Sequence, residues 1–398
     1  MASLSVLNIL RTIKERGSVS RTDLQQTTGL SWGTITNTTR ELLNRNLIRE
    51  EGALSTKAGR RPVRLAINPA NHSLIGVDIG RKLIRCMMLS LSGEVLWSEE
   101  FNYGTEEAPA DVLGKVVDLL QKALELPVSA TRTCLGIGVS APGAIDVASG
   151  IMRFAPGMPS WKNAAICQML QSRLSPRVYI EHSRNCLAMA ERWFGKASQA
   201  DDVLCVTVGG GVGMGILIQG EVFRGSQQFA GEFGHITVDP NGPLCGCGDN
   251  GCIEAFCSFP AVLEYLRSVP EQQSAALKTL LAAHAPTIAE LTALAREGDK
   301  AVIGAFERVG RYLGIGVANL VDLFNPDLIV LAGSLMVARE FFLPMLDRAV
   351  QKHAWKHSNR QILISQLGER AMGMGACGMV LQSIFDQDPL AVAELVQV

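Results

Sequence analysis

The chain has almost no net charge: 37 Lys and Arg against 38 Asp and Glu leave −1 over 398 residues. As a total, that argues against a protein that coats nucleic acid by being basic throughout. No export signal is expected either, because the N-terminus reads as an amphipathic helix rather than a basic stretch followed by an apolar run. The ten cysteines therefore read as reduced thiols of a cytoplasmic protein, not as a secreted disulfide framework. A clean membrane span is lacking too. The one long uncharged stretch, Val203 to Gly220, contains six glycines between two apolar halves, so it reads as two strands around a glycine loop and predicts no membrane insertion. What remains is a soluble globular chain, long enough for two or three domains.

The balance of charge conceals an asymmetry. Residues 1–66 hold 11 Lys and Arg and 5 Asp and Glu, a net of +6, so the remainder, with 26 and 33, carries −7. The basic head has its own pattern. Leu4, Leu7, Leu10 and Ile13 predict a first helix ending near Gly17. Ser20 is placed to cap a short helix through Thr28, Gly29 permits the turn after it, and Ser31 is placed to cap a second helix. In that helix Ile35, Leu42 and Leu43, with Thr38 or Thr39, form the inward stripe, leaving Thr34, Thr36, Asn37 and Arg40 to reach base edges or phosphates. This is the order of a helix-turn-helix. Two short strands, Leu47–Glu50 and Val63–Ile67, would flank a wing carrying Lys57, Arg60, Arg61 and Arg64, suited to phosphates or a narrow minor groove. Asn68-Pro69-Ala70-Asn71 reads as a linker. Operator DNA is thus an expected partner.

In the body, Leu74–Gly80, Lys82–Leu91 and Glu94–Phe101 read strand, glycine turn, strand, turn, strand; Val203–Val208, GGGVGMG and Ile216–Gln219 repeat the theme. Such a duplication suits an actin-like, ribonuclease-H-like α/β plan. Further on, His235, Cys245, Cys247 and Cys252 are spaced H-x9-C-x-C-x4-C on a glycine-broken loop. Four such ligands suit tetrahedral Zn2+ with no position open for water, hence a structural ion. Cys257 is the spare, read as core. The alternatives are a disulfide or free buried thiols.

The run G-E-x-G-H…C-x-C-G-x-x-G-C-x-E resembles the signature of the ROK family, named for repressors, open reading frames and kinases. The segments Gly136–Asp146, Ala155–Trp161 and Asn319–Gly333 resemble family segments as well, and a winged helix ahead of them is similar to its transcriptional-repressor branch. The resemblance implies a winged helix-turn-helix over residues 1–70, a smaller α/β lobe over 71–182 and 369–398, and a larger lobe with the zinc loop and an oligomerisation surface over 183–368. It further implies a sugar or sugar-phosphate effector bound between the lobes, a homodimer or tetramer, and as a further partner a protein of the sugar-uptake system. Family kinases carry their base in a motif resembling N-D-A-N; the matching stretch, Glu181 to Asn185, has Ser183 there, with His182 beside it. A serine hydroxyl has far too high a pKa to act as a base near neutrality. The phosphate loop D-x-G-G-T is matched by Asp78-Ile79-Gly80-Arg81-Lys82, the threonine of the second loop by Gly210, and a glycine-rich nucleotide turn by Ala332-Gly333-Ser334. The resemblance therefore implies a non-enzyme, with two alternatives: an ATP-dependent sugar kinase fused to a DNA-binding head, and a repressor controlled by a protein partner of the sugar-uptake system. The resemblance also implies sugar contacts at Glu232, His235 and Glu254, with His182 and Ser183 as hydrogen-bonding groups, although Gly157 stands where the family often has asparagine.

Overall fold

The computed structural model describes residues 2–51, 63–356 and 361–387. The chain divides into two compact units, residues 1–199 with 370–398, and residues 200–369.

The first unit begins with the head. Helix α1 (Ala2–Arg16) buries Val6, Ile9, Leu10 and Ile13. This is the i, i+3, i+4, i+7 stripe of a 3.6-residue period rather than the strict three-residue spacing expected; the side chains of Leu4 and Leu7 lie outside the described set. Strand β1 (Val19–Ser20), absent from the sequence reading, leads into α2 (Arg21–Thr28). Ser20 and Asp23 form a reciprocal capping box, and Gly29 closes the helix at φ 68°. Ser31 caps α3 (Trp32–Asn44), accepting from the amide of Thr34. Strands β2 (Ile48–Glu51) and β3 (Arg64–Ile67) complete a sheet of order β1-β3-β2. The expected wing between them, with Lys57, Arg60 and Arg61, lies outside the described residues. Residues 68–71 are tied down rather than free: the Asn68 amide donates to the Leu47 carbonyl, and its side chain accepts from the amide of Ala70. Next to them, a ring nitrogen of His72 lies 2.9 Å from the Arg45 carbonyl.

From there β4 (His72–Ile79), β5 (Leu83–Ser90) and β6 (Val95–Asn102) form an antiparallel meander. Helix α4 (Pro109–Glu125) crosses to β7 (Thr133–Ala141), parallel to β4. A hairpin of β8 (Ala144–Asp146) and β9 (Ile151–Phe154) follows, then α5 (Ile166–Gln171), β10 (Val178–His182) parallel to β7, and α6 (Ser183–Phe194).

In the second unit β11 (Val203–Val208), β12 (Val212–Ile218) and β13 (Glu221–Val222) form the antiparallel part. The glycine turn is only residues 209–211; Gly213 and Gly215, expected in the loop, pair in β12 opposite Thr207 and Cys205. After α7 (Glu254–Cys257), α8 (Phe259–Ser268), α9 (Ala275–Ala283) and α10 (Ile288–Arg296), the 25-residue α11 (Lys300–Phe324) leads to β14 (Leu328–Ala332). Helix α12 (Arg339–His353) and β15 (Ile362–Ile364) close this unit. Helix α13 (Ala371–Gln387) returns to the first.

The two five-stranded sheets, β6-β5-β4-β7-β10 and β13-β12-β11-β14-β15, share one order and one pattern of antiparallel and parallel neighbours. The duplication read from the sequence is real. Its boundary differs from the expected break after residue 182, because α6 packs on α13 in the first unit. A Cβ on Gly375 would lie 1.6 Å from the Cys186 carbonyl oxygen, so only glycine lets these two backbones touch. No helix among the described residues is long and apolar enough to cross a membrane.

Candidate functional site

On α3 the inward positions are Ile35, Thr39 and Leu42, with Leu43 half-buried. Asn37 and Arg40 are exposed on the opposite face, and Arg40 makes no hydrogen bond or ion pair among the described residues. Thr34 is half-buried, its hydroxyl 2.9 Å from that of Ser31. Two of the residues expected to read DNA have surroundings that the helix and wing pattern does not predict. The Thr36 hydroxyl is buried, turned into the domain, and has no hydrogen-bond partner among the described residues. Arg64 donates through Nε to the Ser18 hydroxyl at 3.1 Å and through its terminal nitrogen to the Ser18 carbonyl. Its guanidinium pins the α1–β1 turn, and its planar fork suits that paired acceptor. Sequence reasoning passed over Trp32, which begins α3 and is 49% exposed. Its place directly after the Ser31 cap was the available signal.

The loop of the second unit gathers the four spaced ligands. His235 ends a single 3-10 turn that starts at Phe233, and Cys252 precedes α7. The Ile253 amide donates to the Ile236 carbonyl, the Gly251 amide to Pro243, and the Cys245 amide to Asp249, so the loop closes on itself. The apolar anchors Phe233, Ile253 and Phe256 hold its base in the core. The ligand atoms of His235, Cys245, Cys247 and Cys252 lie within 4.8 Å of one another. Cys247 Sγ stands 3.7 Å from Cys252 Sγ, and Cys245 Sγ 3.7 Å from His235 Nδ1. A tetrahedral ion with metal–sulfur bonds of about 2.3 Å spaces its sulfurs by about 3.8 Å. The residues therefore fit a metal ion. Burial pushes the Cys245 and Cys252 thiols up, while the amide of Asp249 holds exposed Cys247 down. Cys257 is buried, its thiol donating to the Val309 carbonyl, and stays outside the cluster.

Beside this loop, Glu254 accepts from the Val212 amide at 2.8 Å and so braces the turn of residues 209–211. Glu232 and His235 are exposed. Because His235 turns Nδ1 to the thiols, Nε2 is the ring atom left for another ligand.

In the first unit, His182 caps α6, its Nδ1 accepting from the amide of Arg184 at 3.2 Å. Burial, helped by the Arg184 charge, lowers its pKa to about 3, so the ring stays neutral. Ser183 is the first residue of α6. Glu181 is buried and accepts from the His182 amide and from Asn185 Nδ2, both at 2.8 Å. Asp78 accepts from the Ser140 hydroxyl at 2.9 Å; burial raises its pKa to about 6, against the pull of Ser140 and Arg85. The folded pKa lies above the unfolded value of 3.8, so Asp78 costs stability once pH rises past about 4, and the full cost is reached above pH 6. Asp78→Asn keeps an acceptor for Ser140. It is expected to stabilise the chain by on the order of 2–3 kcal/mol at pH 8 and not at pH 4, read by urea unfolding at both pH values.

A helix-turn-helix head, a duplicated α/β body and a loop of one histidine and three cysteines are thus joined in one chain. The chain belongs to the ROK family, whose model matches residues 74–383. It is 31% identical over 387 residues to the xylose repressor of Caldicellulosiruptor bescii, covering 96% of this chain and 97% of that protein. It is 28% identical over 386 residues to the DNA-binding transcriptional dual regulator NagC of Escherichia coli, covering 95% and 92%. Among solved structures, a ROK family transcriptional regulator described as a homolog of E. coli MLC superposes with a TM-score of 0.83 at 24% identity, over 100% of this chain and 99% of the other. That likeness extends the shared fold through the head.

Proposed function

We propose that the chain is a sugar-responsive, DNA-binding transcriptional regulator, a repressor of genes for carbohydrate uptake or catabolism. The observation that carries this is the joining of a helix-turn-helix head to a ROK body whose base position is Ser183. The full-length likeness to a xylose repressor and to NagC supports it. The groups proposed to read DNA are Asn37 and Arg40 on α3, with Thr34 at its start and Lys57, Arg60 and Arg61 from the stretch of chain between β2 and β3. Paired heads of a homodimer or tetramer would read a two-fold operator. In the second unit Glu232, Glu254 and His235 Nε2 are the proposed contacts for sugar hydroxyls, since carboxylates accept from adjacent hydroxyls in a fixed geometry. His182 and Ser183 are proposed to hydrogen-bond the effector. Zn2+ is the proposed occupant of the loop of His235, Cys245, Cys247 and Cys252, where it would hold that wall of the second unit rigid. The cytoplasm is the proposed location.

The chain's own residues argue against phosphoryl transfer. Ser183 is no base, and neutral His182 commits Nδ1 to a backbone amide. Arg81 and Lys82 place long side chains where a backbone would meet phosphate. A coupled ADP-release assay with glucose, xylose, N-acetylglucosamine and their 6- or 5-phosphates is therefore expected to show no turnover above that of a Gly209→Asp variant. Turnover abolished by that variant would establish a kinase instead.

A further inference from the structure

The head and the body of the first unit meet at one chemically distinctive contact. Lys14, near the end of α1, places Nζ 3.8 Å from the centroid of Phe194 and 5.5 Å from that of Trp193. The same ammonium donates to the Trp193 carbonyl. A cation over two rings, capping a helix C-terminus as well, gains from the ring quadrupoles and from the negative end of the helix dipole. Phe194 is itself wedged: a Cβ on Gly93, at φ 91° in the β5–β6 turn, would lie 2.5 Å from Phe194 Cδ1. Trp193 is pressed on α13, its Cδ1 2.9 Å from where a Cβ on Gly378 would stand. The receiving surface is thus held by close contacts with the β5–β6 turn and with α13, and it belongs to the last two residues of α6.

The other end of α6 is Ser183, with His182 as its cap. Arg184 through Trp193 are buried without a break, and the helix is tied to α13 by the Gly375–Cys186 contact. A 12-residue helix spans about 18 Å. A fully packed helix of this kind moves as a body, because a shift at one end cannot be absorbed in a close-packed core. Beside the Lys14 contact the packing is open. A half-open cavity of about 290 Å³ beside it is lined by Arg11, Lys14, Ser92, Trp193, Phe194 and Met374, among others, so the Lys14 side of α1 is not packed throughout.

We infer that α6 is the rod that couples the effector groups at His182 and Ser183 to the DNA-reading head, and that Lys14 is the clamp joining rod to head. This rests on the regulator reading above and names its regulation. An effector that displaces the cap of α6 shifts Trp193 and Phe194 under Lys14 and frees or turns α1, to which α2 and α3 are packed. By linkage, DNA held by the head must be felt at the cap of α6.

The test uses the full chain and a duplex selected by it from a random pool, so no effector need be known. Hydrogen exchange is followed by mass spectrometry with and without duplex. In the wild type, duplex is expected to slow exchange in α3 and also, by at least about fivefold, at residues 181–185 and 191–195. In Lys14→Met, which keeps the aliphatic stem, α3 is expected to slow while both ends of α6 stay unchanged; Lys14→Arg, which restores a cation, is expected to recover the distant effect. Slowing in α3 alone in the wild type, or an α6 response that persists in Lys14→Met, overturns the inference while leaving the regulator reading intact. No slowing in α3 in the wild type overturns that reading, and the inference with it.

Discussion

Cys247→Ser is expected to empty the metal site and to lower the stability of the second unit by about 3–5 kcal/mol, with melting falling by about 10 °C. The loss is smaller than the ~10–16 kcal/mol by which zinc folds an isolated finger peptide, because this loop has other supports. Its base is pinned by Phe233, Ile253 and Phe256, and its strands by the bonds from Ile253 to Ile236 and from Val238 to Gly251. Cys247 is the exposed one of the three thiol ligands, so its replacement leaves no cavity and isolates the metal's contribution. Cys257→Ser is the control, since that thiol lies outside the cluster and should leave metal content unchanged. Elemental analysis reads the outcome: about one ion per chain in the wild type and in Cys257→Ser, near none in Cys247→Ser. Equal metal in all three would refute the site. Because ligand thiols must lose protons to bind, and burial holds Cys245 and Cys252 as thiols in the free loop, metal affinity is expected to fall as pH falls.

The second large effect is at the DNA face. Asn37→Ala with Arg40→Ala removes two exposed groups from α3 without touching Ile35, Thr39 or Leu42. Alanine is the better helix former at both positions, so stability should hold or rise slightly. Specific binding should weaken by about 2–4 kcal/mol, roughly 30- to 1,000-fold, because each base contact contributes about 1–3 kcal/mol. Arg60→Ala with Arg61→Ala should act differently, lowering the slope of log affinity against log salt by about 2 whatever the duplex sequence. Arg64→Ala should leave that slope unchanged and destabilise the head, since its guanidinium serves Ser18. Binding titrations at several salt concentrations separate the three. An unaltered affinity in the α3 pair would move the DNA face elsewhere.

Local chemistry made much of this molecule legible in its sequence. Ser20, Gly29 and Ser31 mark helix ends because capping is settled within a few residues. His235, Cys245, Cys247 and Cys252 stand out because few other needs put such groups at such spacing. The repeated strand–turn–strand pattern foretold two sheets of one order. Long-range packing stayed hidden. Nothing near residue 183 says that α6 will lie on a helix returning from residue 371. Thr36 and Arg64 look outward in the pattern, yet the fold turns one hydroxyl inward and commits one guanidinium to the Ser18 turn. Gly213 and Gly215 read as loop because glycine is common there, but pairing with β11 draws them into a strand. The basic head was visible only after an almost neutral chain was divided. The contact of Lys14 with Trp193 and Phe194 joins residues about 180 apart, which no periodicity reports.

The central claim is a body that senses sugar and a head that releases DNA. It is tested most directly by fluorescence anisotropy of the selected duplex bound to the full chain, titrated with xylose, N-acetylglucosamine, glucose and their phosphates. One of these sugars is expected to weaken binding about 5- to 150-fold, the usual range of allosteric coupling, and duplex to weaken that sugar's binding by the same factor. Duplex affinity unmoved by every sugar, together with release by a protein of the sugar-uptake machinery, would contradict the claim and make the sensor a protein-docking surface.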